Sequence, residues 1–209
     1  MNKICEKYVK MINDNTDGYV KSIVIYGSNI YGVTASDLDV CLITDNISKE
    51  LKEKLINLTI KFHNDNQLML DDEVPFSNKL VYTKRDINKV FNDSPFYKNG
   101  KTIINKIQKN EKFLSSCEMK KRLFINILTT DHITIGCSTE EYEKQAFKMI
   151  IKVVIDYFNL INPTVEELLM NLYENKYTGE KGEMFLGYKK NYKEKEKYLV
   201  EKLKEYICD

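Results

Sequence analysis

The stretch Ser22–Thr44, SIVIYGSNIYGVTASDLDVCLIT, limits the fold more than any other part of the chain. Two β-branched runs, Ser22–Tyr26 and Val40–Thr44, read as neighbouring strands. Between them stand Gly27-Ser28, a spacer of eight residues, and Asp37-Leu38-Asp39. A strand sends alternate side chains to opposite faces, so Asp37 and Asp39 are expected on one side and Leu38 and Val40 on the other. Two residues at roughly 3.3 Å each put the carboxylates about 6–7 Å apart along the strand edge. Such a pair suits hard divalent cations held through oxygen. A Gly-Ser at a strand end lets a backbone amide and a hydroxyl approach a phosphate. Metal ions that bridge a triphosphate stabilise an in-line phosphoryl displacement.

The flanking segments predict what supports this corner. Residues 2–13 read as a helix with Ile4, Tyr8 and Met11/Ile12 on one side, ended by NDNTDG. Residues 48–64 read as a second helix, with Leu51, Leu55, Leu58 and Phe62 on one face and Ser48 as N-cap. A strand–helix–strand order with the acidic pair on the second strand suits a small mixed sheet backed by helices. Gln67–Val74 and Lys79–Thr83 read as two more strands, joined across Pro75–Asn78. If Leu68, Leu70 and Val74 face the helices, Asp71 and Glu73 share the opposite face and Asp72 does not. Thr83-Lys84-Arg85-Asp86 fits a capping box that opens a short helix to about Phe91.

A domain boundary is expected near residue 93, where Asn92–Pro95 and Lys98–Gly100 are rich in turn formers. Residues 1–93 then form one domain and residues 94–209 a second. Almost everything in the second reads as helix. Met119, Leu123, Phe124, Ile127 and Leu128 mark one helix, ended at Thr129–His132. Ser138–Glu141 reads as a capping box before a long amphipathic helix carrying Tyr142, Ala146, Met149, Val153, Tyr157 and Leu160. Asn162-Pro163 starts another, residues 178–182 read as a loop, and residues 188–207 read as a charged last helix. Its tyrosines are spaced for packing.

Composition removes several classes. The chain is 43% hydrophobic and 30% charged, the balance of an ordinary globular protein. No stretch approaches the roughly 18 apolar residues of a membrane span. The best, Met149–Leu160, is broken by Lys152 and Asp156, and the N-terminal residues lack an apolar signal core. No membrane association is expected. The five cysteines are scattered without a CxxC, which points to reduced thiols in a cytoplasm and away from structural zinc. His63 and His132 lack metal-ligand spacing and read as local hydrogen-bond partners or solvated groups. Net charge is +1, but residues 98–122 hold eight Lys/Arg against two Asp/Glu, or +6. That block is the one stretch suggesting a polyanionic partner; a solvated lysine-rich surface is the competing reading.

The arrangement strand, Gly27-Ser28, spacer, Asp37-x-Asp39, strand resembles the signature of the DNA polymerase beta-like nucleotidyltransferase superfamily. Its wording at Ser36–Leu42, SDLDVCL, is most similar to the terminal-uridylyl and noncanonical poly(A) polymerase branch. The resemblance covers about residues 20–83, with a spacer somewhat shorter than usual, so the turn must be tight. It implies an α+β fold: a small mixed-sheet nucleotidyltransferase domain backed by helices, then an all-helical acceptor-binding domain. It implies transfer of an NMP from an NTP to a hydroxyl acceptor with release of pyrophosphate. Asp37 and Asp39 would hold Mg²⁺ or Mn²⁺, and Gly27 and Ser28 would bind the nucleotide. The family's third carboxylate lies on a strand that runs acid, aliphatic, small, Phe, Asn-rich, Leu. Glu73–Leu80, EVPFSNKL, resembles that order, which implies Glu73, with Asp71 second, as catalytic carboxylate and metal ligand. A helical-domain lysine touches the triphosphate in related enzymes, and Lys148, between Lys144 and Lys152 on one helical face, is the candidate.

For the acceptor, the polymerase-like wording and the basic block favour an RNA or tRNA end. The small size suits a small-molecule transferase of the aminoglycoside or lincosamide kind, and a minimal toxin acting on tRNA or protein also fits. A non-catalytic, antitoxin-like binding module is the reading if no third carboxylate meets Asp37 and Asp39.

Overall fold

Val20–Ile25 (β1) takes the centre of the sheet because it can be buried on both faces; Ser22, Ile23, Val24 and Ile25 are all buried. The computed structural model describes residues 2–31, 36–70, 79–92, 123–125, 127–173 and 193–207. The elements are α1 (Lys3–Thr16), β1, a 3-10 helix (Gly27–Tyr31), β2 (Val40–Thr44), α2 (Lys49–Asp65), β3 (Val81–Thr83), α3 (Lys84–Asn92), β4 (Ile133–Gly136), α4 (Glu140–Phe158), α5 (Val165–Tyr173) and α6 (Lys193–Ile207). Residues 123–125 and 127–129 are also helical. The strands form one sheet in the order β3-β2-β1-β4. β2 and β3 are parallel, and the other two pairings are antiparallel. The chain is thus a mixed α+β protein with a small mixed sheet and several helices.

The chain divides into two compact units: Met1–Ile87 with His132–Thr139, and Asn88–Asp131 with Glu140–Asp209. In the first, Ile23 and Ile25 pair with Leu42 and Val40, and these four join one core with Leu38, Leu55 and Phe62. α1 adds Cys5, Tyr8 and Ile12 to that core. The Tyr8 ring meets Phe62 edge-on at 5.2 Å, and its hydroxyl lies 2.9 Å from Thr59 Oγ1. A buried phenol needs a hydrogen-bond partner. That need turns α2 so that Leu55, Thr59, Phe62 and His63 are buried, while Leu51 and Leu58 of the expected stripe are only partly covered. Ser48 caps α2 as expected, accepting from the Leu51 N–H at 3.1 Å. The capping box at Thr83–Asp86 is also in place, with both reciprocal bonds at 3.1 Å.

The fourth strand corrects the expectation that residues 94–209 are helical throughout. Ile133–Gly136 pairs with β1 and belongs to the first unit. Its four residues are too short for a clear alternating pattern, but a hydrogen-bond partner along β1 makes them a strand. Gly136, at φ +103°, lies so close to β1 that an added Cβ would collide with the Lys21 carbonyl oxygen. Gly136→Ala is therefore expected to destabilise the first unit by about 1–3 kcal/mol, from the backbone conformation and the displaced edge together. A denaturant melt measures it; an unchanged midpoint would mean that β4 tolerates the shift.

The remaining differences are local. The expected strand Lys79–Thr83 shortens to Val81–Thr83. Residues 67–70 of the expected strand Gln67–Val74 make one parallel bridge, Met69 to Asp37, and residues 71–74 lie outside the described residues. The basic block 98–122, the loop 178–182, Tyr188 and Tyr192 also lie outside them. Among the described residues, no helix is long and apolar enough to cross a membrane. Cys5 and Cys41 are buried free thiols and Cys137 an exposed one; burial pushes the Cys5 thiol up.

In the second unit, α5 is opened by a capping box between Thr164 and Glu167, just past the Asn162-Pro163 expected to start it. Asn159, at φ +53°, ends α4 in the left-handed conformation, and the Leu160 N–H returns to the Ile155 carbonyl at 3.0 Å. α4 and α6 are joined through Phe147, which packs on the rings of Tyr198 and Tyr206, and through Glu143. The buried Glu143 carboxylate accepts from Tyr198 at 2.8 Å and Tyr206 at 3.2 Å, and pairs with Lys202 at 2.7 Å. Partial burial pulls the Lys202 ammonium down, but the hydrogen bond and charge of Glu143, with Glu205, leave it above the usual lysine value. Glu143→Gln is expected to cost about 1.5–3 kcal/mol, the range for hydrogen bonds to a charged group.

Burial and the Glu143 charge push the Tyr206 phenol up to about 12. The unfolded phenol therefore ionises first as pH rises, and the stability this group contributes is lost between about pH 10 and pH 12. Tyr206→Phe should flatten that part of the stability profile, measured by denaturant titration at pH 9 and pH 11.5. An unaltered slope would contradict it.

Candidate functional site

Antiparallel pairing places the start of β2 beside the end of β1, because Ile25 faces Val40. One residue further, the Tyr26 N–H donates to the Asp39 carbonyl at 3.1 Å. The chain then breaks from the strand at Gly27, φ +72°, and winds into the 3-10 helix Gly27–Tyr31. The 3-10 helix takes up the first part of the spacer, and residues 32–35 lie outside the described residues. A Cβ on Gly27 would collide with Oδ2 of Asp39 and stand 3.0 Å from its Cγ. The Asp39 carboxylate thus lies directly on the Gly27 backbone, in space that only glycine leaves open.

The alternation expected from the sequence is present in the apolar pair. Leu38 and Val40 are each 3% exposed and belong to the core, whereas Asp37 and Asp39 are half-buried outside it. Ser28, beside Gly27 in the 3-10 helix, is also half-buried. Asp37 is located by its backbone. Its carbonyl accepts from Asn29 Nδ2 at 2.8 Å, and it bridges in parallel to Met69, whose N–H donates to the Ser36 carbonyl at 2.7 Å. Gln67, at φ +55°, redirects the chain as it leaves α2, so residues 68–70 run beside Asp37. Asp71 and Glu73, the candidates for a third carboxylate, lie outside the described residues.

The structure therefore brings Gly27 and Asp39 together, with Ser28 and Asp37 on the segments that leave and enter that corner. Lys148 is an exposed residue of α4, in the second unit. His63 is buried rather than solvated, with Nδ1 2.8 Å from the Thr59 carbonyl one turn back. His132 is half-buried. Among the described residues, no group of three metal-ligating side chains occurs. The two carboxylates and the serine hydroxyl are hard oxygen donors, which suit Mg²⁺ or Mn²⁺. Gly27 leaves the Asp39 carboxylate the room it occupies, and in donor chemistry, oxygen only, these residues are of the kind such an ion takes.

One residue missed in the sequence is Asn29. It is 3% exposed, and besides reaching the Asp37 carbonyl it accepts from Asn2 Nδ2 at 3.4 Å. Asn2 in turn caps α1, accepting from the Cys5 N–H at 2.9 Å. The available signal was a polar residue directly after the Gly-Ser pair and ahead of Ile30, but its partners are eight and twenty-seven residues away. A separate depression of about 640 Å³, lined in part by Tyr19, Ile47, Leu51 and Lys54, lies at the other end of β1 and β2, where Val20 pairs with Thr44. It is not part of the Gly27–Asp39 corner. Comparison with known proteins adds no match: no family model fits the chain, and no curated protein or solved structure does.

Proposed function

We propose that this chain is a metal-dependent nucleotidyltransferase of the DNA polymerase beta-like kind, which moves an NMP from an NTP to a hydroxyl of an RNA or tRNA end. The observation that carries the reading is the Asp39 carboxylate lying on the backbone of Gly27. A phosphate-approaching turn and a metal-ligating acid would then share one corner. Asp37 and Asp39 would hold the ion through their carboxylate oxygens, with Gly27 and Ser28 offering an amide and a hydroxyl to phosphate oxygens. The ion, when bound, supplies charge neutralisation on the triphosphate. The acceptor oxygen forms a bond to the α-phosphorus, and the bond from that phosphorus to the α–β bridging oxygen breaks. Pyrophosphate leaves with the electron pair.

The acceptor's proton passes to a third carboxylate, for which Glu73, then Asp71, is proposed. Supporting that choice, residues 68–70 run beside Asp37 immediately before the acidic run. A reaction that consumes NTPs suits a cytoplasmic setting. The test is incubation of the full chain with Mg²⁺, each NTP labelled at the α-phosphate, and total cellular RNA. Label entering RNA is the expected result. Label entering only an added aminoglycoside or lincosamide would move the acceptor to small molecules. No label and no pyrophosphate with any acceptor would leave a non-catalytic binding module.

A further inference from the structure

We propose that Asn29 is a positioning residue that fixes the Asp37 backbone against the glycine-serine turn, and that Asn2 anchors it. The proposal deepens the nucleotidyltransferase reading and rests on it for its functional consequence. Its geometry stands on its own. Asn29 sits in the 3-10 helix one residue after Ser28, with its side chain buried to 3% exposure. A buried amide is costly unless both its ends are satisfied. Here Nδ2 donates to the Asp37 carbonyl and Oδ1 accepts from Asn2. Asn2 is held in turn by its own cap on α1. The relay ties three separate segments to one point: the start of α1, the turn after β1, and the strand entry that carries Asp37 and Asp39.

The two neighbouring backbone bonds act elsewhere: the Tyr26 N–H reaches the Asp39 carbonyl and the Met69 N–H reaches the Ser36 carbonyl, whereas Asn29 reaches Asp37 itself. Without Asn29, the Asp37 carbonyl loses its side-chain donor, and the backbone that carries the Asp37 carboxylate loses its tie to the turn. A partner that orients a metal ligand commonly changes metal affinity by about 10–100-fold when removed.

The experiment compares the full chain with Asn29→Ala and with Asn15→Ala. Asn15 is the control: its side chain also donates to a backbone carbonyl, that of Met11, inside α1 and away from the corner. The first readout is hydrogen exchange at the Tyr26 and Met69 amides. The second is Mn²⁺ affinity by electron paramagnetic resonance, without substrate turnover. Asn29→Ala is expected to speed exchange at both amides about tenfold or more and weaken Mn²⁺ binding about 10–100-fold. Asn15→Ala should leave both readouts at the wild-type value.

Unchanged exchange in Asn29→Ala, or equal changes in the two variants, would overturn the latch. If wild type binds no Mn²⁺, the nucleotidyltransferase reading fails while the exchange result still decides the latch. Should Asn29→Ala not fold, Asn29→Asp reads the same quantities. It keeps the shape and the acceptor toward Asn2, but turns the donor facing Asp37 into a second acceptor.

Discussion

Asp39→Ala is expected to slow pyrophosphate release from NTP and Mg²⁺ roughly 10³-fold while leaving the protein folded. The Asp39 side chain is half-buried and outside the apolar core, and the bond that joins β2 to Tyr26 uses its backbone carbonyl, which alanine keeps. Truncation removes the carboxylate that lies against Gly27 and keeps the backbone carbonyl, so the variant should still fold, with whatever stability it loses read from its melt. The loss falls on the reaction. A metal ion contributes several kcal/mol of charge stabilisation in phosphoryl transfer, and 1.36 kcal/mol is tenfold in rate, so losing about 4 kcal/mol slows turnover roughly 10³-fold. On the proposed reading, in which Asp37 and Asp39 hold one ion, Asp37→Ala should behave alike, because ligands that act as a unit are not lost additively. Pyrophosphate release by both variants, read beside circular dichroism melts, checks this. Release equal to wild type from a folded Asp39→Ala would end the catalytic reading.

Gly27→Ala is expected to lose both stability and activity, and Gly18→Ala stability alone. Both glycines have left-handed φ, +72° and +76°. An alanine there costs about 1–2 kcal/mol in backbone conformation. They differ in what the methyl group meets. At Gly18 nothing lies within 4 Å, whereas at Gly27 the methyl meets the Asp39 carboxylate. Gly27→Ala must push that carboxylate off its position, and a displacement near 1 Å at a reacting centre costs about 10²-fold in rate. The pair of variants therefore separates a turn effect, common to both, from a site effect, confined to Gly27. Equal activity in the two would mean that the Asp39 position does not matter to the reaction.

The parts of the fold that were legible in the sequence are those governed by short-range rules. β2 begins and ends where its β-branched run does, and Ser48 and the Thr83–Asp86 box cap the helices that follow them. Leu38 and Val40 turn to the core because period-two alternation is a property of the chain itself. What could not be read depends on distant partners. Thr59 on the buried face of α2 makes sense only once Tyr8 is opposite it. β4 is four residues whose strand character comes from β1, over a hundred positions earlier. Asn29 looks like a turn residue until the Asp37 carbonyl is beside it. In the site, the spacing implied that Gly27 and Asp39 are neighbours, but not that one rests on the other.

Diffraction from crystals of the full chain grown with Mn²⁺ and a non-hydrolysable NTP analogue decides whether the two carboxylates hold an ion. The expected result is an anomalous manganese peak about 2.1–2.3 Å from carboxylate oxygens of both Asp37 and Asp39, with a phosphate oxygen on the same ion and the triphosphate against Gly27 and Ser28. A bound ion and nucleotide that leave both carboxylates uncoordinated would contradict it.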